Sequence, residues 1–156
     1  MSTVNPIPDR YPRVTPHLSI AGAAEAIDFY TRVLGANERM RMAMPDGTVS
    51  HAEIVIGDSV IMIGDEAWPG GHEPSPATLG GSPVALFVYV EDVDDVFKRA
   101  LEAGATSVLD PEDHFYGDRV AMFDDPYGHR WNIGTHIEDV PPAEMERRMA
   151  EILSTT

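Results

Sequence analysis

Hydrophobic and polar positions along this chain run through the same change of period twice. Residues 17–36, "HLSIAGAAEAIDFYTRVLGA", begin with alternation. They then place Ala23, Ala26, Ile27, Tyr30 and Leu34 on one face of a 3.6-residue period. Residues 85–105, "ALFVYVEDVDDVFKRALEAGA", do the same with Val93, Val96, Phe97, Ala100 and Leu101. Each segment predicts a short strand followed by an amphipathic helix, with Gly35 and Gly104 as C-cap glycines. Three strand-like stretches follow each helix. In the first half they are residues 37–45, 49–56 and 60–66, separated by "DG" and "GD" turns. In the second they are residues 106–113, 118–124 and 130–135, the last two joined by "DPYG". Each half therefore reads βαβββ, and the chain is an internal repeat.

The expected organisation is a tail over residues 1–12, a first module over 13–66, a linker or mobile loop over 67–83, a second module over 84–139 and a C-terminal helix over 140–156. The linker is rich in Gly and Pro. Pro141 and Pro142 open the last helix, and Met145, Met149 and Ile152 form an apolar stripe along it. A lone βαβββ unit covers one sheet face with its helix and leaves the other bare. The predicted fold class is thus α+β, with two such modules pairing to form a cupped mixed sheet. Strand alternation assigns the side chains. Leu18, Ile20, Ala52, Ile54 and Ile56 face the helix, whereas Thr15, His17, Ser19, His51, Glu53 and Val55 face the cup. In the second half Ala85, Phe87 and Tyr89 face the cup, with Arg119, Ala121 and Phe123 alongside.

Composition removes several function classes. The chain has 156 residues and a formal charge of −15, from 26 acids against 11 Lys and Arg. That field repels phosphate backbones and anionic lipid, so neither nucleic acid nor membrane is an expected partner. No apolar run is long enough to span a bilayer. The first residues lack the apolar core of a signal peptide, so a cytoplasmic location is expected. With 0 Cys there is no disulfide, thiolate nucleophile or thiolate metal site. No Gly-x-Ser-x-Gly elbow, P-loop or Rossmann glycine pattern occurs.

The polar residues on the cup face carry the candidate chemistry. His17, His51 and Glu53 would suit Zn, Fe or Ni as two imidazoles and a carboxylate; they would equally line a small-molecule pocket or hydrogen-bond across the sheet. Glu53 in a partly apolar cup would have a raised pKa and could act as a general base with His51, or it pairs with Arg119 across the cup. His129 reads as a structural residue of the "DPYGH" turn, capped by Asp125, with Gly128 at positive φ. His136 reads as solvated near Glu138 and Asp139. His72 and His114 fall in loops.

A paired βαβββ module with "AIDFYTRVLGA" after its first strand and "DPYGHRWNI" leading its last resembles the vicinal oxygen chelate superfamily, which includes glyoxalase I, extradiol dioxygenases and bleomycin-binding proteins. The resemblance covers about residues 13–139, and the closing "DPYGHRWNIGTHIEDVPPAEMERR" is most similar to the PhnB-like branch. It implies a divalent ion held by one ligand from each of four strands. Those positions fall on Thr15, Met62, Ala85 and Asn132, which cannot together hold a hard cation. No cofactor is therefore expected, although a divalent metal remains possible through His17, His51 and Glu53. The segment "PEDHFYGDR" resembles one that borders the cavity in relatives. The resemblance thus implies a protein binding a small molecule in its cup, with His17, Phe87, Tyr89, Phe115, Tyr116, Arg119 and Asn132 lining the ligand. Its alternative is a lyase, isomerase or dioxygenase using Glu53 and His51. Relatives build their cups from paired modules, so a homodimer is expected.

Overall fold

The computed structural model describes residues 4–155; the first three residues of the expected tail and Thr156 lie outside the described residues. The chain divides into two compact units, Met1–Gly81 and Ser82–Thr156. The first contains β1 (His17–Ile20), α1 (Ala23–Leu34), β2 (Asn37–Ala43), β3 (Val49–Ile56), β4 (Ser59–Asp65) and the short helix α2 (Pro76–Leu79). The second contains β5 (Ala85–Tyr89), α3 (Val93–Glu102), β6 (Thr106–Asp113), β7 (Asp118–Asp124), β8 (Arg130–His136) and α4 (Pro142–Ser154). The two four-stranded sheets have the same topology, β1-β4-β3-β2 and β5-β8-β7-β6. The last strand of each unit inserts beside the first and runs parallel to it. This is the α+β architecture of two βαβββ modules that the repeat predicts. No helix among the described residues is long and apolar enough to cross a membrane.

One sheet face in each unit is sealed by its helix. In the first, Ala23, Ala26, Ile27, Tyr30, Val33 and Leu34 of α1 are buried, as are Ile20, Ala52, Ile54 and Ile63 of the sheet. Each large side chain removed from water in this way stabilises the unit by about 1.5–3 kcal/mol. In the second unit Val93, Val96, Phe97 and Ala100 of α3 are buried, and Trp131 and Ile133 lie in the sheet beneath. Leu101, expected on that helix face, is 38% exposed instead. Both helices receive the same cap from the end of the inserted strand. Asp65 Oδ2 accepts the Ala23 N–H at 3.2 Å, and Thr135 Oγ1 accepts the Val93 N–H at 3.0 Å. Each satisfies an N–H left without a partner inside the helix.

The parity assigned to β7 is reversed. Phe123 lies opposite Trp131, and Ala121 opposite Ile133. All four are fully buried on the helix side. Arg119 shares that side, where its guanidinium holds Asp94 of α3 at 2.7 and 2.9 Å and Asp113 at 2.8 Å. It therefore lies on the helix side of its own sheet, not with Phe87 and Tyr89 as alternation suggested, and its guanidinium is committed to Asp94 and Asp113. The sequence "DRVAMFD" carries apolar residues on both alternations, so alternation alone cannot choose a face. The face opposite the helix holds Phe87, Tyr89, Asn132, Val120 and Met122, as the register Phe87↔Asn132↔Met122 requires.

Asp125 organises the "DPYG" turn. Its Oδ1 accepts the N–H groups of Tyr127 and His129, each at 2.9 Å, and its Oδ2 accepts Trp131 Nε1 at 3.0 Å. Gly128 follows at φ 90°, a conformation costly for any side chain with a Cβ. Because Asp125 is only 5% exposed, Asp125→Ala strands three donors in or near the core. Urea unfolding of that variant should show a loss of about 3 kcal/mol. A loss below about 0.5 kcal/mol would mean the turn holds itself without the carboxylate.

Candidate functional site

On the first unit, the sheet face opposite α1 is built around one buried acid. Alternation on β3 turns His51 and Glu53 to this face, and Glu53 is 2% exposed. Three groups compensate its charge. The Tyr11 hydroxyl donates to Oε1 at 2.7 Å, Arg39 Nη2 lies 2.8 Å from Oε2, and His51 Nε2 lies 3.3 Å from Oε1. The Arg39 contact is an ion pair without hydrogen-bond alignment. Arg39 arrives through a β-bulge: Glu38 pairs with Ile54 and Met40 with Glu53, which leaves Arg39 as the extra residue. Its guanidinium also stacks 4.6 Å over the Tyr11 ring. Burial is the largest influence on the Glu53 carboxyl and pushes its pKa upward. The Tyr11 hydroxyl, His51 and Arg39 together outweigh it and hold the group below its ordinary 4.5, opposite to the raised value expected from burial alone.

Beside this cluster, His17 and His51 lie parallel, with ring centroids 6.2 Å apart and planes 9° off parallel. His17 also borders a cavity of about 140 Å3, together with Ser19, Gly64, Asp65, Trp68 and Glu73. Gly64 forms its floor: a Cβ there would sit 3.5 Å from His17 Nε2 and from the Ser50 carbonyl.

On the second unit, the corresponding face carries a different cluster. Asp118, 5% exposed, accepts the Tyr89 hydroxyl at 2.8 Å and faces His136 Nδ1 at 2.7 Å. His136 Nε2 lies 2.9 Å from Asp139. With a carboxylate on each ring nitrogen, Asp139 first and Asp118 second, His136 is held above its ordinary pKa of 6.5. It therefore bridges two acids, and its exposed pair with Asp139 is the solvated pair that the sequence suggests. Burial is again the largest influence on Asp118 and pushes up, but His136 and Tyr89 draw it below its usual value. Phe87 and Tyr89 are 46% and 63% exposed, with ring centroids 5.0 Å apart. Tyr116 stacks on His114 at 5.1 Å and meets Phe115 edge-on at 5.3 Å. His114 Nε2 and Asn132 Oδ1 are shielded from solvent without a hydrogen-bond partner.

The residues do not fit the divalent ion that the fold suggests. The Thr15 hydroxyl is committed to the Pro12 carbonyl at 3.2 Å. Met62 lies opposite His17 and Glu53. Arg39 already stands against Glu53, so a dication there would meet a like charge. Among the described residues, no group of three or more His, Cys, Asp or Glu side chains is placed to hold a metal ion. The structure thus brings together His17, His51 and Glu53 on one unit and Phe87, Tyr89 and Asn132 on the other. Phe115 and Tyr116 lie on the β6–β7 turn, and Arg119 lies on the opposite face of its sheet. Sequence reasoning missed Tyr11, Arg39, Trp68 and Asp118. None carried a local signal: Tyr11 and Trp68 lie outside regular strands, Arg39 is turned by a bulge, and the face of β7 that presents Asp118 is fixed only by register.

Residues 14–133 match the profile of the Glyoxalase/Bleomycin resistance protein/Dioxygenase superfamily. An uncharacterized protein of Mycobacterium bovis is 40% identical over 141 residues, covering 89% of this chain and 93% of its own. Among solved structures, TioX from Micromonospora is similar at 26% identity and a TM-score of 0.58, over 80% of this chain and 99% of its own. A PhnB protein from Bacillus cereus shares the fold at 19% identity and a TM-score of 0.62, over 80% and 99% of the two chains.

The depressed Glu53 carboxyl makes a prediction about acid. A group whose folded pKa lies below its unfolded value stabilises the fold above the unfolded value, near 4.5, and that stability disappears as pH falls through the folded value. Glu53→Gln should therefore be about 1–3 kcal/mol less stable than the parent at pH 7. The gap should close progressively below pH about 4.5. Urea unfolding at several pH values measures it, and a gap independent of pH would show that the Glu53 charge is not what these partners hold.

Proposed function

Since the chain belongs to the Glyoxalase/Bleomycin resistance protein/Dioxygenase superfamily, we propose that it binds a small molecule on the helix-free face of its first module, at the cavity beside His17. One observation carries this reading: the Glu53 charge is compensated by Tyr11, Arg39 and His51. An acid held ionised by three partners is an anchor that fixes its neighbours. Its lowered pKa also makes it a weak base. A lyase, isomerase or dioxygenase using Glu53 as general base, or a metal on Glu53, fits this arrangement less well. His17, by contrast, borders the cavity and is free to meet a guest. The exposed rings of Phe87 and Tyr89 form a separate aromatic surface on the second module. With no cysteine requiring an oxidising compartment, a cytoplasmic location belongs to the same reading.

Protein-observed NMR with a fragment library provides the test. Binding fragments should shift the resonances of His17, Gly64 and Trp68, and His17→Ala should weaken the best of them about tenfold, equivalent to about 1.4 kcal/mol. Shifts confined to Phe87, Tyr116 and their neighbours would move the working site to the second module and refute the assignment.

We also propose a homodimer. The helix α4 buries none of its residues, and Met149, Ile152 and Leu153 are 46%, 47% and 66% exposed along it. Arg148 fastens this helix to its own unit, through Glu138 at 2.7 and 2.9 Å and the Phe115 carbonyl at 3.1 Å, which leaves the apolar stripe facing outward. Light scattering should give twice the chain mass at micromolar concentration, and Met149→Glu with Leu153→Glu should return it to one. A parent that scatters as a monomer removes the proposal.

A further inference from the structure

The cavity beside His17 has a roof made by one loop, and its chemistry points to a class of ligand; the inference rests on the binding reading above. Residues 66–79 leave β4 and fold back on themselves. Glu66 closes this loop, because its carboxylate accepts the Ser75 N–H at 2.6 Å and the Thr78 hydroxyl at 2.8 and 2.9 Å. The Ser19 hydroxyl on β1 pins the loop down through the Glu73 carbonyl at 2.5 Å. These ties hold the Trp68 indole at the cavity wall beside Gly70, where a Cβ would come within 2.6 Å of Nε1. The floor is Gly64, whose missing side chain leaves the space open.

The polar lining is one-sided. It carries the acids Asp65 and Glu73 and neither Lys nor Arg. Asp65 is itself fixed, accepting the Ala23 N–H at 3.2 Å and the Ala67 N–H at 3.0 Å. His17 contributes the only basic group. An anion entering here would meet a border with two acidic residues and neither Lys nor Arg, within a chain of net charge −15. A cation would meet that acidic border and an indole, the aromatic surface that best attracts positive charge. The volume, about 140 Å3, suits a guest close in size to benzene, which occupies an apolar cavity of about 150 Å3. We propose that this cavity binds a small organic cation, an ammonium group of about five to seven heavy atoms held against Trp68 in the field of Asp65 and Glu73.

The chain has 2 Trp, and Trp131 is fully buried, so Trp68 reports on the cavity by fluorescence, with Trp68→Phe as the blank. The probes are tetramethylammonium, neutral tert-butanol and anionic pivalate, which share a compact branched shape. Tetramethylammonium should change Trp68 emission saturably and bind at least about tenfold more tightly than either of the others. Gly64→Ala fills the floor with ordinary contacts at 3.5 Å and should weaken it about fivefold or more at an undiminished melting temperature. Glu73→Gln keeps the pinned carbonyl and should weaken the cation alone. If tert-butanol or pivalate binds as tightly as the cation and is equally lost in Gly64→Ala, the cavity stands as a binding site and its charge assignment falls. If none of the three alters Trp68, the inference is overturned, and the fragment screen judges the binding reading separately.

Discussion

A carboxylate taken almost wholly out of water has to be matched by charge and hydrogen bonds where it lies, or it takes up a proton or leaves the site. Glu53 imposes that demand at the centre of the first sheet. Meeting it fixes the bulge that delivers Arg39, the path of the N-terminal segment that delivers Tyr11, and the orientation of His51. The Tyr11–Arg39 stack and the bond from Arg39 Nη1 to the Arg10 carbonyl at 3.3 Å follow from the same arrangement. A carboxylate whose charge is compensated by so many neighbours, and whose pKa they lower, is a weak base. This is why the site reads as a binding surface with a rigid base.

The internal repeat shows how one scaffold can carry two chemistries. Register aligns the units residue by residue: His17 beside Met62 corresponds to Phe87 beside Asn132, and Glu53 opposite Met62 corresponds to Met122 opposite Asn132. The helix-facing residues stay apolar in both units because each must seal a helix onto a sheet. The opposite faces are free of that requirement and have diverged. One carries imidazoles and a compensated acid. The other carries exposed aromatic rings and the Tyr89–Asp118–His136–Asp139 chain.

Between the modules' sheets in sequence lies the Gly- and Pro-rich stretch that reads as a linker. Most of it is engaged in the first unit instead. Ser75 caps α2, accepting the Thr78 N–H at 3.3 Å, and Glu66 ties that short helix to the end of β4. Glycines here serve proximity as well as flexibility, since Gly70 admits the indole and Gly64 leaves the cavity its floor.

The sequence by itself determined the two βαβββ units, the apolar faces of α1 and α3 with the single exception of Leu101, the Asp125 turn and the superfamily. Each of these is written in local periodicity or in a side chain bonding to backbone a few residues away. It also placed His17, His51 and Glu53 on one face, since Leu18, Ile20, Ala52 and Ile54 occupy the opposite parity along β1 and β3. Only the tertiary structure decided the face of β7, where both alternations are apolar, and with it the partners of Arg119. It alone decided that Tyr11 and Arg39, 42 and 14 residues from Glu53 in the chain, would set the ionisation of that acid. Alternation tells which way a side chain points. It cannot tell what arrives from elsewhere in the chain to meet it, because that depends on a bulge and on the path of a segment with no regular structure of its own.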